Sequence, residues 1–233
     1  MNDRVAAVIV AGGVGRRLKR KLHKPFVPLA GKPMLAWTLA AVEKTPSVKW
    51  IVAVVHPGDR AAAKRLIRRY GCRKVIGVVA GGQSRMESVF NGLKALPEEA
   101  RWVAVHDGAR PLVTPAVFQS AVKAARRSKA AIVAVPVVPT IKSAEGGWVQ
   151  GTLDRSRLWA VQTPQVFERR LLDRAHETGR RLGIQATDDA ALVEALGHKV
   201  RIVEGAASNL KVTTPEDLIL AEAFLRRRGK KSS

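Results

Sequence analysis

Hydrophobic positions along this chain follow two alternating patterns. Continuous apolar runs at Val5–Val10, Trp50–Val55, Val75–Val79, Trp102–His106 and Ala130–Val135 read as strands buried on both faces. Between them, apolar residues recur at helical spacing. Leu35, Leu39 and Val42 place a helix over Pro33 to Glu43, and further helices are expected at about Asp59–Tyr70 and Ser84–Leu96. Ser84 stands as an N-cap with Glu87 in the capping-box position. Thr114-Pro115 opens another helix, a cap followed by proline in the first turn. Later helices are expected at Phe167–Thr178 and at Asp188–Leu196, the second capped by Thr187, with a short strand at Val200–Val203. Thr214-Pro215-Glu216-Asp217 starts the last helix, its two acids at the positive end of the dipole. The tail from Arg226 to Ser233 is basic and expected to fray.

From Pro136 to Leu158 the helical period disappears, and Gly146-Gly147 reads as a hairpin turn flanked by Trp148 and, further on, Trp159. This segment is expected to be a protruding β-arm. The alternation of strands and helices predicts an α/β fold: a Rossmann-like, mainly parallel, doubly wound sheet in one domain spanning 1–233, with the arm at about 136–158. Ligands then bind across the carboxyl ends of the strands.

Composition narrows the function classes. The single cysteine, Cys72, excludes an intrachain disulfide and a cysteine metal cluster, and points to a reducing, cytoplasmic setting. No apolar run approaches the roughly 20 residues that span a bilayer, and the chain enters its first strand without a signal-peptide layout. The net charge of +22 raises a nucleic-acid partner. Aromatic residues are only 5% and are not interleaved with clusters such as Lys64, Arg65, Arg68 and Arg69, so platforms for stacked bases are poorly supplied. Weak nonspecific binding at low salt is expected, but no specific nucleic acid and no membrane.

The chemistry sits at strand ends. Ala11-Gly12-Gly13-Val14-Gly15-Arg16-Arg17 follows the first strand. Small residues let backbone N–H groups approach phosphate oxygens, and arginine adds charge-assisted contacts. The spacing matches neither a dinucleotide fingerprint nor a P-loop, and a plain strand-to-helix turn explains it equally well. Lys24, held extended before Pro25, adds a point charge within reach of the same loop. Gly81-Gly82-Gln83-Ser84-Arg85, with Ser88 one turn on, permits close backbone approach, although alone it reads as a loop with a cap. In His106-Asp107-Gly108-Ala109-Arg110-Pro111, Asp107 is a candidate for a metal ion or a sugar hydroxyl and Arg110 for a phosphate. His106 reads as a buried structural histidine. Thr140, Lys142, Arg155, Thr163, Thr187 and Lys211 carry no signal individually.

Taken in order, the AGGVGRR loop with Lys24, GGQSRMESV, HDGARP, PVVPTIK, LDR…QTPQVF, ATDDA and NLKVTTPEDL resemble the 2-C-methyl-D-erythritol 4-phosphate cytidylyltransferase family of non-mevalonate isoprenoid synthesis. The resemblance implies a fold of nucleotide-diphospho-sugar transferase type, whose β-arm interlocks two subunits. It implies that Arg17 and Lys24 stabilise charge on the triphosphate. Ala11, Gly12, Gly13, Gly82 and Ser88 would hold the nucleotide, and Asp107 would lie near the metal and the substrate hydroxyls. Arg110, Thr140 and Lys211 would contact the acceptor; Arg155, Thr163 and Thr187 would reach it from the partner subunit, with Arg155 and Lys211 positioning the attacking phosphate. Two positions depart from the family: Gly12, where alanine is frequent, and Pro139, where aspartate commonly precedes the arm threonine.

The reaction so implied joins CMP from CTP to a sugar-alcohol phosphate with Mg2+ or another divalent cation. Rival readings are the same transfer to ribitol 5-phosphate, a nucleotidyltransferase for hexose phosphates or molybdopterin, and a noncatalytic nucleotide- or RNA-binding module.

Overall fold

The computed structural model describes residues 4–13, 15–18 and 22–230. Strand β1 (Val5–Ala11) shows how the apolar runs are used. Val5, Ala7, Ile9 and Ala11 pack into one hydrophobic cluster while Ala6 and Val8 pack into another. Side chains along a strand alternate between faces, so only a run apolar at nearly every position can lie between two helical layers.

Tight turns at Arg16–Leu18 and Lys24–Phe26 follow, then a short ladder of β2 (Pro28–Leu29) and β3 (Lys32–Pro33), and α1 (Met34–Glu43). The chain continues through β4 (Val48–Val55), α2 (Arg60–Arg69), β5 (Val75–Ala80), α3 (Arg85–Lys94), β6 (Trp102–Asp107), α4 (Pro115–Ser128) and β7 (Ala130–Pro136). After the arm come β10 (Trp159–Glu168), α5 (Arg169–Arg181), α6 (Asp189–Glu194), β11 (Arg201–Glu204) and α7 (Pro215–Lys230). The arm itself holds β8 (Lys142–Glu145) and β9 (Trp148–Thr152).

The seven-stranded sheet has the order β11-β7-β10-β6-β1-β4-β5. Helices α1, α2 and α4 cover one face; α3, α5 and α6 cover the other. A third cluster joins Leu218, Ala221 and Leu225 of α7 to Leu29, Met34 and Leu112, which fastens the C-terminal helix over the β2–β3 ladder.

Two expectations are corrected. The segment after Leu158 does not lead straight to a helix near Phe167. It forms β10, antiparallel to both β6 and β7, and the helix begins at Arg169. The doubly wound sheet is therefore mainly but not wholly parallel. The cap of α6 is Asp188, whose carboxylate accepts the Ala191 N–H at 3.0 Å, rather than Thr187. The caps at Ser84, Thr114 and Thr214 are as expected.

The arm is a hairpin whose two strands form a separate sheet. Gly146 and Gly147 have φ of 56° and 86°, the pair of positive values that a tight two-residue turn of primed type demands. Helix α7 continues to Lys230 through most of the tail expected to fray; residues 231–233 lie outside the described residues. Among the described residues no helix is long and apolar enough to cross a membrane.

Candidate active site

Strands β4 and β5 lie on one side of β1 and β6 on the other, which makes the gap between the carboxyl ends of β1 and β6 the switch point of the sheet. A cleft of about 270 Å3 opens there. Its floor is Ala11–Gly13 from the end of β1 and Asp107–Ala109 from the end of β6. Gly82–Arg85 and Ser88 form a wall, and Lys24 and Lys211 line the remaining side.

Asp107 is the electrostatic centre. It is 7% exposed. Lys211 Nζ lies 2.8 Å from its Oδ2, Arg85 Nε 3.6 Å from Oδ1 and Arg110 Nε 3.8 Å from Oδ2. Burial pushes the carboxyl upward, but Lys211, then Arg85 and Arg110, outweigh it and hold the pKa at about 2. The backbone of Asp107 is fixed as well: its N–H donates to Thr163 Oγ1 at 3.0 Å, and that hydroxyl meets His106 Nδ1 at 2.9 Å. His106 is fully buried, and desolvation takes its pKa down to about 3. It is a neutral structural histidine, as its place in the sequence suggests.

Lys24 is loaded in the opposite sense. Burial, then the neighbouring charges of Lys211 and Arg17, lower its pKa to about 8, with Asp107 opposing them. Positive charge is thus assembled before a ligand arrives, the arrangement that stabilises an incoming polyanion without reorganisation. Gly15 sets the contact. Its φ is +74°, and a Cβ there would stand 2.8 Å from the Lys24 Cβ, so glycine is required both by conformation and by approach.

The opposite wall is pinned by its own side chains. Ser88 Oγ donates to the Ser84 carbonyl at 2.9 Å and accepts the Gly82 N–H at 3.1 Å. Ser84 Oγ caps α3 by accepting the Glu87 N–H at 3.0 Å, while the Glu87 carboxylate accepts the N–H of Gln83 rather than of Ser84. The capping box is displaced by one residue, which ties the glycine loop to the first turn of α3.

Of the residues expected at the site, Ala11, Gly12, Gly13, Lys24, Gly82, Ser88, Asp107 and Lys211 come together around the cleft. Arg17 is exposed beside it and its charge is felt by Lys24. Val14 lies outside the described residues. Thr140 and Arg155 are exposed on the arm, where Arg155 Nη1 donates to the Val138 carbonyl at 2.7 Å. Thr187 is exposed in the loop before α6.

Arg110 and Thr163 are placed differently from the expectation. Arg110 does not line the cleft: its guanidinium donates to the carbonyls of Asn209 at 2.7 Å and Val161 at 3.3 Å, and it backs Asp107. Thr163, 4% exposed, is committed to Asp107 and His106 of its own chain. Arg110→Met is therefore expected to cost stability, about 3 kcal/mol, because it strips the buried Asn209 carbonyl, the half-buried Val161 carbonyl and the Asp107 carboxylate of a charged donor. Urea unfolding checks this; a midpoint equal to that of the unsubstituted protein would show that Arg110 has no structural role.

Arg85 is the site residue that sequence reasoning left without a role. It bridges Asp107 to Asp189, with Nη1 2.8 Å from Asp189 Oδ2. Asp189 is 1% exposed and also meets His176 Nε2 at 3.0 Å. Gln165 of β10 supports the same corner, donating to Asp188 Oδ2 at 2.7 Å and accepting the Asp189 N–H at 3.0 Å. The acids of ATDDA and the arginine of GGQSR are visible in the sequence, but nothing local says that they meet.

The family described as IspD, 2-C-methyl-D-erythritol 4-phosphate cytidylyltransferase, matches residues 5–227. A curated relative of that name from Desulforamulus reducens is 46% identical over 227 residues, covering 97% of each chain. Another, from Caldanaerobacter subterraneus, is 44% identical over 225 residues, covering 96% of this chain and 99% of the relative. The crystal structure of 4-diphosphocytidyl-2C-methyl-D-erythritol synthase from Anaerococcus prevotii superposes with a TM-score of 0.85 at 32% identity, covering 95% of this chain and 96% of that one. The 2-C-methyl-D-erythritol 4-phosphate cytidylyltransferase of Thermus thermophilus gives 0.79 at 36% identity, covering 94% and 98%.

Proposed function

The chain belongs to the 2-C-methyl-D-erythritol 4-phosphate cytidylyltransferase family, and on that premise we propose that its cleft transfers CMP from CTP to 2-C-methyl-D-erythritol 4-phosphate. The products are 4-diphosphocytidyl-2-C-methyl-D-erythritol and pyrophosphate. The observation that carries this reading is the convergence of Lys24 and Lys211 on a glycine-lined floor with Asp107 as the one carboxylate among the described lining residues.

A phosphate oxygen of the acceptor attacks the α-phosphorus of CTP in line, and the bond to the β-phosphate oxygen breaks. The acceptor is already an anion, so no general base is needed, which agrees with the neutral, buried state of His106. The barrier lies in bringing two anions together. Lys24 and Arg17 neutralise charge building on the departing pyrophosphate, and Lys211, fixed by Asp107, orients the acceptor. Mg2+ is commonly held by one carboxylate together with substrate phosphates, and Asp107 would supply that carboxylate. When bound, it supplies further neutralisation of the phosphates.

Arg155 and Thr187 serve the site of a second copy in this reading, and Thr140 contacts the acceptor. The arm supports a homodimer: Val138, Trp148 and Val149 are 77%, 78% and 63% exposed, a concentration of apolar surface on a hairpin that packs on nothing in its own chain large enough to cover it. A cytoplasmic location agrees with the substrates.

Pyrophosphate release over a panel of nucleotides and acceptors tests the assignment. CTP with 2-C-methyl-D-erythritol 4-phosphate is expected to turn over fastest. Equal turnover with ATP or GTP would remove the base assignment, and preference for ribitol 5-phosphate would transfer the enzyme to the related acceptor.

A further inference from the structure

His23, His56 and Asp59 are the one group of three metal-ligating side chains gathered among the described residues, with one donor atom from each all within 4.8 Å of one another. They come from two separate places. His23 immediately precedes Lys24 on the basic side of the cleft, and His56 and Asp59 belong to the tight turn that follows β4. His23 Nδ1 lies 2.7 Å from Asp59 Oδ2, and the rings of His23 and His56 meet edge to face with centroids 4.9 Å apart. All three are half-buried, so the cluster is reachable by an ion and sheltered from full hydration.

We infer that His23, His56 and Asp59 form a binding site for a borderline divalent metal of the Zn2+ type, separate from the Mg2+ that accompanies the phosphates. Two imidazoles and one carboxylate form a donor set for zinc with a fourth position left for water, whereas Mg2+ prefers oxygen ligands throughout. Ligand atoms about 2.0–2.1 Å from a tetrahedral Zn2+ stand about 3.3 Å from each other. The His23–Asp59 pair therefore widens by about 0.6 Å to admit the ion, which takes the place of the proton between them, and the neutral His23 ring carries its proton on Nε2 instead.

His56 Nδ1 accepts the Gly58 N–H at 3.2 Å. Coordination through Nδ1 replaces that hydrogen bond. Coordination through Nε2 moves the ring proton to Nδ1 and also ends it. Either way the Gly58 amide reports on occupancy. The bound ion ties the residue before Lys24 to the end of β4, and so fixes the backbone that carries a cleft cation.

The test uses the full chain without a histidine tag, dialysed free of metal, then titrated with Co2+ as a spectroscopic stand-in and with Zn2+ by calorimetry, both in a large excess of Mg2+. One equivalent is expected to bind, with a visible Co2+ band of tetrahedral type and a Zn2+-dependent rise in Tm. His56→Asn keeps an acceptor for the Gly58 N–H, and Asp59→Asn keeps one for His23, so both variants should fold. Each should weaken binding by no less than the about 10–100-fold that loss of an outer hydrogen-bond partner costs a metal site. The Gly58 amide resonance should shift on Zn2+ addition in the unsubstituted chain alone. Binding no tighter than in the His23→Asn/His56→Asn double variant, or binding unchanged in both single variants, overturns the proposal.

Discussion

Lys24→Ala lowers kcat by on the order of a hundredfold or more, and it does so without lowering Tm. The two halves of this expectation have one cause. Burial and the charges of Lys211 and Arg17 depress the Lys24 pKa from 10.5 to about 8, so the ammonium is held where the folded chain disfavours it. The unfolded chain binds that proton more tightly, so the charged lysine costs stability at pH 7. The cost lifts as pH rises from about 8 toward 10.5, where the unfolded state still holds the proton and the folded state does not. Alanine removes the cost together with the catalytic charge. Arg17→Ala should follow in activity, since the proposed mechanism sets it on the same triphosphate. The pH profile separates a catalytic lysine from a structural one: kcat/KM of the unsubstituted enzyme should fall as pH rises through about 8, and the Lys24→Ala profile should lack that limb. Steady-state kinetics with thermal unfolding checks the set. Near-normal kcat in the variant, or an unchanged alkaline limb, would take Lys24 out of the mechanism.

Mixing two dead enzymes should restore a living one. Arg155→Ala and Lys24→Ala subunits are each expected to be inactive as homodimers. If the arm carries Arg155 to the partner's cleft, a mixed dimer holds one site with both lesions and one with neither. Random pairing in a symmetric dimer then returns about a quarter of the normal activity. The exposed position of Arg155, tied to the Val138 carbonyl and outside its own cleft, motivates the experiment. Demonstrated subunit exchange with no recovery would confine Arg155 to its own chain or to no site.

The parts of this molecule that could be read from its sequence are those whose signal is local. Parallel strands announce themselves because β1 and the Ile51–Val55 stretch of β4 are buried on both faces and must be apolar. The glycine loops, the caps and Asp107 sit at strand or helix ends, where punctuation is strong. Strand β10 escaped because its inward residues include Gln162, Thr163 and Gln165, which read as loop. Their polarity is satisfied only by distant partners: Asn209 and Ala206 for Gln162, Asp107 for Thr163, Asp188 and Asp189 for Gln165. Arg110 lies deeper than its place in the sequence suggests, for the reverse reason. An arginine at a strand end suggests a phosphate, whereas the acceptors it meets within the chain, the carbonyls of Asn209 and Val161, are 99 and 51 residues away. The histidine pair at positions 23 and 56 is silent in sequence because one turn and one strand end meet only in three dimensions.

Strand β10 also divides the chain into a stretch whose length is free and one whose length is fixed. Before Trp159 lies a hairpin whose strands pair only with each other, so residues added at the Gly146–Gly147 tip extend into solvent and disturb no register. After Gln165 the strand is locked between β6 and β7. One residue inserted there would rotate fully buried Phe167 off its face and turn Glu168 toward the core, because the side-chain period is two. Insertions and deletions are thus expected to be tolerated at the hairpin tip and not in the strand behind Asp107, so the arm can change in length while the register that holds Asp107 is kept.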